Sequence, residues 1–275
     1  MHVAESCLKV PGPLLTQVTP VLLTLNEAAN IRRTLSALTW ARDIVVVDSG
    51  STDETLSILQ NFTQVRVFSR LFDTHCQQWQ FATSETGIKT PWILRLDADY
   101  LLTDRFVTEL AAFDPGAAFD AYRVTFDYAI HSKKLTASLY PPNTILLRRG
   151  HFSISQEGHT ERWHVNGAVG SVRAHVVHDD RKPLSHWLHS QQRYATREAD
   201  RLLSVRPEQL SKIDRIRLTG WLAPLLVPSY ALFAKGCILN GWAGLYYVFQ
   251  RLLAEILLSL NLIERRLLPA AEEKQ

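Results

Sequence analysis

The chain has 275 residues, of which 46% are hydrophobic and 21% are charged, so it can bury one large core and is neither disordered nor a simple bundle of membrane spans. Its net charge of +3 does not favour nucleic acid as a partner. Cys7, Cys76 and Cys237 have no CxxC spacing, which argues against a disulfide framework or a zinc site and fits a reducing cytoplasm. The first residues lack the basic start and apolar core of a signal peptide, so we expect no secretion signal.

The first predicted strand covers residues 18–25, and Pro20 is expected near its start because proline cannot donate to a sheet ladder. Asn26 follows as a good helix N-cap, with Glu27 in the first turn. Apolar residues at helical spacing predict that this helix runs to about Leu38.

A run of β-branched residues predicts the second strand over 44–47. The sequence DSGSTD follows, in which Gly50 permits a tight turn and a later polar residue, with Asp53 among the candidates, can cap a helix over 54–61. The next predicted elements are a strand over 65–68, a helix over 76–87 and a strand over 92–96.

The regular alternation of strands and helices predicts a parallel α/β sheet with right-handed crossovers. Ligands of such sheets bind beyond the carboxyl ends of the strands, where residues 26–27, Asp48 and residues 97–99 fall. No GxGxxG follows the first strand and no Walker motif is present, which disfavours a dinucleotide site and a P-loop.

Asp97 and Asp99 follow a strand at alternate positions, so both carboxylates are expected on the same side. Two like charges there are costly unless a cation joins them. Oxygen ligands suit Mg²⁺ or Mn²⁺, which can also hold a diphosphate. Taken alone, the tripeptide of residues 97–99 is equally well interpreted as an acidic turn after a strand.

Three motifs together resemble the family 2 inverting glycosyltransferases, which have the GT-A fold. The matching segments are residues 24–27 (TLNE), residues 47–53 (VDSGSTD) and residues 96–99 (LDAD), in the family's order and at about its spacing. The resemblance covers roughly residues 18–100. Within this family the sequence most resembles transferases of the lipopolysaccharide-core glucosyl type, whose signature also reads VDSGSTD and LDAD.

The resemblance implies an α/β fold of the GT-A type, a Rossmann-like nucleotide-diphospho-sugar transferase with a mostly parallel sheet, here with C-terminal apolar helices. Glu27 and Asp48 would hold the uracil and ribose of a nucleotide sugar. Asp97 and Asp99 would form the metal-binding pair, with Asp99 the more direct ligand. The predicted nucleotide-sugar-binding residues are Thr24, Leu25, Asn26, Glu27, Asp48, Gly50, Asp97, Ala98 and Arg181.

Residues 119–150 predict two or three antiparallel strands with a turn near His131, and in GT-A enzymes this half carries the acceptor side. Inverting transfer needs a general base to take the proton of the acceptor hydroxyl. In the region where the family keeps its base, the polar cluster of residues 156–160 makes Glu157 the nominated base, with His159 as its neighbour. The alternative is a glutamate in a surface loop, as most glutamates are exposed.

A charged segment follows a strand-like run over 172–177. His178 is a candidate further metal ligand, and Arg181 and Lys182 are candidates to hold the leaving diphosphate. A compatible alternative is a charged turn that caps the next helix, which Asp180 would suit.

The composition divides the chain into two predicted units. Residues 15–182 are expected to form the glycosyltransferase domain, with a donor half over about 15–115 and an acceptor half over about 116–182. Residues 183–275 form a helical extension, which begins with a helix over 183–203. Gln191, Arg193 and Tyr194 could contact substrate there, although packing is the favoured interpretation.

The apolar, aromatic-rich segments over 220–263 predict membrane association. A single span is disfavoured because Arg251 and Glu255 would lie inside it, at a cost of several kcal/mol. Amphipathic helices lying in the membrane interface fit better. The soluble alternative is an aromatic-rich oligomer interface.

We therefore predict a metal-dependent inverting glycosyltransferase at the cytoplasmic face of a membrane, with Mg²⁺ or Mn²⁺ as cofactor. Its donor would be a UDP-sugar and its acceptor a cell-surface glycan or a lipid-linked intermediate. A nucleotidyltransferase is disfavoured because no Gly-rich basic loop follows the first strand. The intact acidic residues weigh against a non-catalytic membrane-bound scaffold. Residues 78–80 read QWQ where many look-alikes have Arg-Asn, and Tyr100 replaces an acid, which leaves the donor sugar open.

Overall fold

A seven-stranded mixed sheet lies at the centre of the protein. The structure is a computed structural model that describes residues 14–114, 116, 118–157 and 160–267. The strands among these residues are β1 Val18–Thr24, β2 Ile44–Asp48, β3 Val65–Ser69, β4 Trp92–Asp97, β5 Tyr100–Leu102, β6 Ala121–Val124, β7 Phe126–Ile130, β8 Lys133–Lys134, β9 Asn143–Arg148, β10 Phe152–Glu157, β11 Thr160–Val165, β12 Val169–Ser171 and β13 Val176–His178. The α-helices are α1 Ile31–Ser36, α2 Thr55–Leu59, α3 His75–Ser84, α4 Asp104–Ala111, α5 Leu184–Ser204, α6 Lys212–Leu218, α7 Ala223–Ser229 and α8 Gly241–Leu267.

The central sheet has the strand order β12-β6-β9-β4-β1-β2-β3. Strands β4, β1, β2 and β3 are parallel, whereas β9 is antiparallel to both of its neighbours. The predicted parallel sheet of the first half is thus confirmed. The register sets Asp48 opposite Thr24 and Asp97 opposite Leu23, so the carboxyl ends of three strands meet at one rim.

Apolar residues fill both faces of this sheet, which explains the continuous apolar runs of its strands. Val46 packs in the core formed with α1 and α4, whereas its neighbour Val45 packs with Trp79 of α3 on the other face. Pro20 is the third residue of β1, and pairing with β2 begins only at Val21. Pro20 thus lies near the start of β1, as predicted, and in the ladder with β4 it is opposite Leu94.

The helix after β1 begins later than predicted, at Ile31. Asn26 is not its cap: this residue has a φ of 55°, in the left-handed region that asparagine tolerates. Its Oδ1 accepts a hydrogen bond of 2.8 Å from the backbone N–H of Thr52, so the side chain stabilises the loop after β2. The predicted inward face of the helix is confirmed, since Ile31, Leu35 and Leu38 are fully buried.

The predicted strand over 172–177 is correct only at residues 176 and 177, which belong to β13; residues 172–175 lie between the short strands β12 and β13. β12 joins the central sheet, and β13 joins a four-stranded sheet of order β5-β13-β7-β8. The residues between them cross from one sheet to the other. Val172 and Ala174 are apolar because they are buried in the core and not because they pair in a strand.

The second sheet brings the end of β13 to the start of β5. The predicted turn between β7 and β8 is confirmed, with φ values of 45° at His131 and 68° at Ser132, as in a tight hairpin turn. β13 pairs parallel with β7 and antiparallel with β5. Its register sets His178 opposite Tyr100, the residue that follows Asp99.

The C-terminal helices pack on this sheet and on each other. α8 packs against β7 through Tyr247 and Val248, which contact the core around Ile130. The continuous helical segment Cys237–Leu267 is long and apolar enough, by length and composition, to cross a membrane, and 39% of its most apolar window is buried in the protein. α5 and α8 meet in a small core of Ala195, Ala199, Leu202, Leu258 and Leu262.

Candidate active site

A cleft of about 1070 Å³ opens at the carboxyl ends of the parallel strands. Its volume lies just above the usual range of small-molecule sites, about 300–1,000 Å³, and its position is the usual ligand site of parallel sheets. α5 and α8 contribute the opposite wall. The strand ends contribute Thr24, Leu25, Ser49, Asp97, Ala98 and Asp99.

Asp97 and Asp99 line this cleft on either side of the buried Ala98. The Ala98 carbonyl accepts a hydrogen bond of 2.5 Å from Thr34 Oγ1, which fixes the turn between the two carboxylates. Burial, helped by the charge of Asp99, raises the pKa of Asp97. Burial would also raise the pKa of Asp99, but the charge of His178, its hydrogen bond and the charge of Lys182 together outweigh burial, and this pKa is lowered. The two carboxylates are thus close enough to repel each other, and a cation would relieve this.

His178 lies beside Asp99, with 3.0 Å between its Nε2 and the carboxylate Oδ2. The rings of Tyr100, Tyr128 and Tyr140 surround the imidazole, with centroids 5.4, 4.8 and 4.6 Å away. Burial would lower the pKa of His178, but the charge of Asp99 and its hydrogen bond raise it. Asp99 and His178, both predicted from the sequence as metal ligands, therefore lie side by side in the structure.

Two atoms of this pair, Asp99 Oδ1 and His178 Nδ1, are buried and have no hydrogen-bond partner among the described residues. Buried polar atoms are normally paired, so these two mark a place where a ligand could be accommodated. Within the described residues, no group of three or more His, Cys, Asp or Glu side chains is positioned to hold a metal ion. A metal ion bound beside Asp99 would therefore need further ligands from a bound substrate or from water.

Glu27 lines the cleft and forms an ion pair with Lys182, with 2.5 Å between Oε1 and Nζ. Asn30 Nδ2 donates to Glu27 Oε2 at 2.9 Å and to Asp180 Oδ1 at 2.8 Å. Burial raises the pKa of Glu27 to about 7 against the opposing charge of Lys182, and the charge of Asp99 adds to the rise. These bonds tie the segment after β13 to the loop after β1.

Arg181 is missing from the described residues that line the cleft. Its Nε and Nη2 lie 2.9 and 2.8 Å from Asp179 Oδ2, and Nη2 also donates to Ser132 Oγ. Arg33 pairs with the same buried carboxylate at 2.9 Å. The structure thus gives Arg181 a role in holding this segment, and Lys182 is the basic residue of the segment that reaches the cleft.

Asp48 is buried beneath the rim, where both of its carboxylate oxygens are occupied. Oδ1 accepts hydrogen bonds from Thr24 Oγ1 at 3.0 Å and Ser51 Oγ at 2.6 Å. Oδ2 accepts from the backbone N–H groups of Gly50 and Ser51 at 3.0 and 2.8 Å, and Gly50 has a φ of 92° that favours glycine. The structure does not bring the Asp48 carboxylate to the cleft; it shapes the loop that carries Ser49 there.

The predicted base lies on the hairpin of β10 and β11. Glu157 ends β10 and pairs through its backbone with Thr160, while its side chain is not among those described. His159 lies outside the described residues. The nomination of Glu157 therefore stays a prediction.

β11 carries a carboxylate in the cleft that the sequence analysis missed. Glu161 Oε1 accepts hydrogen bonds from Arg95 Nη1 at 2.7 Å and Trp163 Nε1 at 3.3 Å. The Arg95 guanidinium lies over the Trp79 and Trp163 rings, 5.6 and 4.9 Å from their centroids. An arginine between the buried apolar residues of strand β4 was the available signal, because a buried charge needs a partner.

A family model described as glycosyl transferase family 2 matches residues 21–170 of this chain. The chain is 28% identical over 195 residues to the lipopolysaccharide core biosynthesis glycosyltransferase LpsC of Rhizobium meliloti (strain 1021), with 65% of this chain and 69% of LpsC covered. It is 34% identical over 98 residues to an uncharacterized glycosyltransferase of Rickettsia bellii (strain RML369-C), with 35% of this chain and 32% of that protein covered.

Among solved structures, S. aureus TarS 1-349 in complex with UDP matches with a TM-score of 0.47 and 12% identity, covering 87% of this chain and 90% of that one. Glucosyl-3-phosphoglycerate synthase from Mycobacterium tuberculosis matches with a TM-score of 0.43 and 15% identity, covering 65% and 77%. The family model spans more than half of this chain, and the resemblance seen in the motifs is confirmed. The chain belongs to glycosyl transferase family 2 and is a glycosyltransferase of the GT-A fold.

Proposed function

We propose that this glycosyltransferase moves a sugar, with inversion, from a UDP-sugar to a cell-surface glycan or a lipid-linked acceptor. The transfer would take place in the cleft at the ends of β1, β2 and β4. The observation that carries the proposal is the pairing of Asp99 with His178, in which each partner keeps one buried polar atom without a hydrogen bond.

Asp97, Asp99 and His178 would hold a Mg²⁺ or Mn²⁺ ion. Carboxylate oxygens and an imidazole nitrogen suit Mn²⁺, and carboxylate oxygens also suit Mg²⁺. The raised pKa of Asp97 and the unpartnered Asp99 Oδ1 support a cation between these side chains. Such an ion, when bound, stabilises the charge of a departing nucleoside diphosphate.

The chain's own residues would bind and orient the donor. Thr24 and Leu25 line the cleft at the end of β1 and Ala98 at the end of β4, which suits contacts to the nucleoside. Lys182 would neutralise phosphate charge from the segment after β13, since it faces the same cleft. Glu27 would contact the nucleotide. Through its ion pair with Lys182 it would also orient the lysine.

The general base would come from the β10–β11 hairpin, where we place Glu161 ahead of the earlier nominee Glu157. Both hydrogen bonds to the Glu161 carboxylate use Oε1, and Oε2 accepts none from the described residues. Arg95 would hold the carboxylate in place while Oε2 takes the proton of the acceptor hydroxyl. Glu157 remains the second candidate on the same hairpin.

Donor and metal binding can be measured without knowing the acceptor. Thermal unfolding is followed with UDP-sugars, with and without Mn²⁺, because a ligand of the folded state raises Tm. Wild type should gain Tm with UDP-sugar and Mn²⁺ together, and Asp99→Asn should lose this gain. Asp104→Asn, an exposed residue at the start of α4, is the matched control. A full Mn²⁺-dependent gain in Asp99→Asn would refute the metal assignment.

The two base candidates are separated by turnover. Glu161→Gln keeps the shape of the side chain and should lower kcat by about 10²–10⁴-fold, the usual contribution of a general base, with UDP-sugar binding kept. Glu157→Gln should then leave kcat nearly unchanged. The reverse pattern would restore Glu157 as the base, and two active variants would exclude both.

We further propose that residues 183–275 attach the catalytic domain, residues 15–182, to the cytoplasmic face of a membrane. Aromatic side chains suit headgroup depth, and Lys133 and Lys235 lie beside Trp242 and Tyr230, at 5.7 and 5.9 Å from the rings, where anionic lipid would meet them. The side of α8 that lines the cleft includes the charged residues Arg251 and Glu255, which favours a helix in the interface over a span. The exposed apolar side chains of this surface include Trp221, Leu225, Phe233, Leu239, Trp242 and Phe249.

Co-sedimentation with phosphatidylcholine–phosphatidylglycerol vesicles tests this attachment. Wild type and the control Leu56→Asp, exposed on α2, should pellet with the vesicles. The double variant Trp242→Asp/Phe249→Asp should stay in the supernatant. If wild type does not pellet with the vesicles and instead forms a dimer that this double variant abolishes, the surface is an oligomer interface.

A further inference from the structure

The helical wall of the cleft carries several arginines that the transfer reaction proposed above does not use. Arg193 and Arg197 lie four residues apart on α5, so they share one face of the helix. Arg217 of α6 and Arg251 of α8 line the same cleft. This wall faces the rim that carries Asp97 and Asp99.

The carboxylates of this wall are already matched by other cations. Arg217 Nη2 lies 2.5 Å from Glu255 Oε1, and Arg201 Nη2 lies 2.7 Å from Glu198 Oε1. No ion pair with a described residue remains for Arg193, Arg197 or Arg251. The wall therefore presents three positive charges without an ion pair among the described residues, from Arg193 and Arg197 of α5 and Arg251 of α8.

Arg251 lies deepest of the three and is built into the cleft. Its guanidinium lies 5.6 Å from the centroid of the Tyr247 ring, and that ring lies 5.0 Å from Tyr128, which in turn lies 4.8 Å from His178. Two aromatic rings thus separate the guanidinium from the proposed metal ligand. Arg251 Nε and the neighbouring Gln250 Oε1 are buried without a hydrogen-bond partner among the described residues.

We propose that Arg251, with Arg193 and Arg197, binds an anionic group of the acceptor, a phosphate or a carboxylate, beyond the point of transfer. The proposal rests on the function proposed above and names the acceptor class for that site. A guanidinium binds either anion through two parallel hydrogen bonds, and an unpartnered buried N–H makes such a ligand favourable. The diphosphate of the donor has its own basic residue in Lys182, whose charge acts on Asp99.

The test uses simple anions as probes, with UDP and Mn²⁺ present at saturation to occupy the donor side. Binding of inorganic phosphate, D-glucuronate and neutral D-glucose is measured by titration calorimetry. Wild type should bind at least one anion at least tenfold more tightly than glucose. Preference for phosphate would indicate a phosphorylated acceptor, and preference for glucuronate an acidic sugar.

Two independent variants locate the binding. Arg251→Gln should weaken the preferred anion at least tenfold, and so should Arg193→Gln/Arg197→Gln, whose side chains are exposed, so that folding is not at risk. Arg215→Gln, exposed on α6 and outside the cleft, should bind like wild type. Anion binding no tighter than glucose, or unchanged in the double variant, would overturn the proposal.

The same samples separate this proposal from the function on which it rests. UDP with Mn²⁺ should bind all variants with the affinity of wild type, because none of these arginines belongs to the proposed donor site. Failure of UDP to bind wild type would refute the donor assignment. Normal UDP binding without arginine-dependent anion binding would refute only the acceptor assignment.

Discussion

Replacement of Asp48 by alanine should destabilise the protein strongly. The substitution removes the acceptor of two backbone N–H bonds, at 3.0 and 2.8 Å, and of two hydroxyl bonds, at 3.0 and 2.6 Å. The hydroxyls of Thr24 and Ser51 can rotate to other acceptors, but the backbone groups of Gly50 and Ser51 cannot. At about 1.5–3 kcal/mol for each hydrogen bond to a charged group, the loss of the two backbone bonds is about 3–6 kcal/mol. For a chain of this size this lowers Tm by roughly 6–24 °C.

Thermal unfolding of wild type, Asp48→Ala and Asp48→Asn measures this loss. The asparagine keeps one oxygen acceptor, so its Tm should lie between the other two. Glu54→Ala, exposed in the same loop, should change the free energy of unfolding by less than about 0.5 kcal/mol. An Asp48→Ala protein as stable as this control would refute the reasoning. Normal stability of Asp48→Asn with lost UDP binding would instead return Asp48 to the nucleotide-binding role that the family resemblance implies.

Three further substitutions test other parts of the structure. Glu255→Gln should lower the free energy of unfolding by about 2–3 kcal/mol in urea denaturation, because it removes the closest carboxylate of the partly buried Arg217 and leaves only Glu198, at 4.0 Å. Gly244→Ala should lower Tm by several degrees, since a Cβ there would lie 1.8 Å from the Cys237 carbonyl oxygen. Glu27 has its pKa raised from 4.5 to about 7, so it stabilises the fold below pH 4.5 and loses this effect as the pH rises through 7. Wild type should therefore lose more Tm than Glu27→Gln between pH 5 and pH 8.

Each of these has a matched control and a result that would contradict it. Glu264→Gln, exposed on the same helix as Glu255, should have no effect on urea denaturation. Gly116→Ala meets no atom closer than 3.4 Å, so equal Tm losses for this variant and Gly244→Ala would contradict the steric argument. A pH profile of Tm that is the same with and without the Glu27 carboxylate would contradict the burial of that charge.

The sequence predicted the first half of the fold because local patterns determine it. Four apolar runs, each followed by polar residues, correspond to the parallel strands β1 to β4, and the rim position of Asp97 and Asp99 follows from strand ends alone. The family motifs fall in the same stretch. The prediction failed where a polar residue had two possible partners: Asn26 was assigned to the helix that follows it, yet its amide binds the backbone of Thr52 in the next loop.

The remaining site residues depend on contacts that no short pattern contains. Asp48 has the position of a ligand in the motif, but its register opposite Thr24 and the turn at Gly50 occupy both oxygens. Glu161 becomes part of the cleft only because a hairpin far along the chain places it at Arg95. The signal for that contact was the charge of Arg95 in a buried strand. Such a charge indicates that a partner exists, but it does not indicate where in the sequence the partner lies.

α8 is apolar on both its inner and its outer side. A helix of a soluble protein turns its apolar side inward, as α8 does with Tyr247, Val248 and Leu258, and its cleft side also includes Gln250, Arg251 and Glu255. The outer stripe keeps helical spacing and is exposed at Trp242, Leu245, Phe249, Ile256, Leu260, Ile263 and Leu267. Packing within the protein explains the inner side but not the outer one. A lipid surface on the outer side would bring a membrane-borne acceptor to the same helix whose inner face carries Arg251.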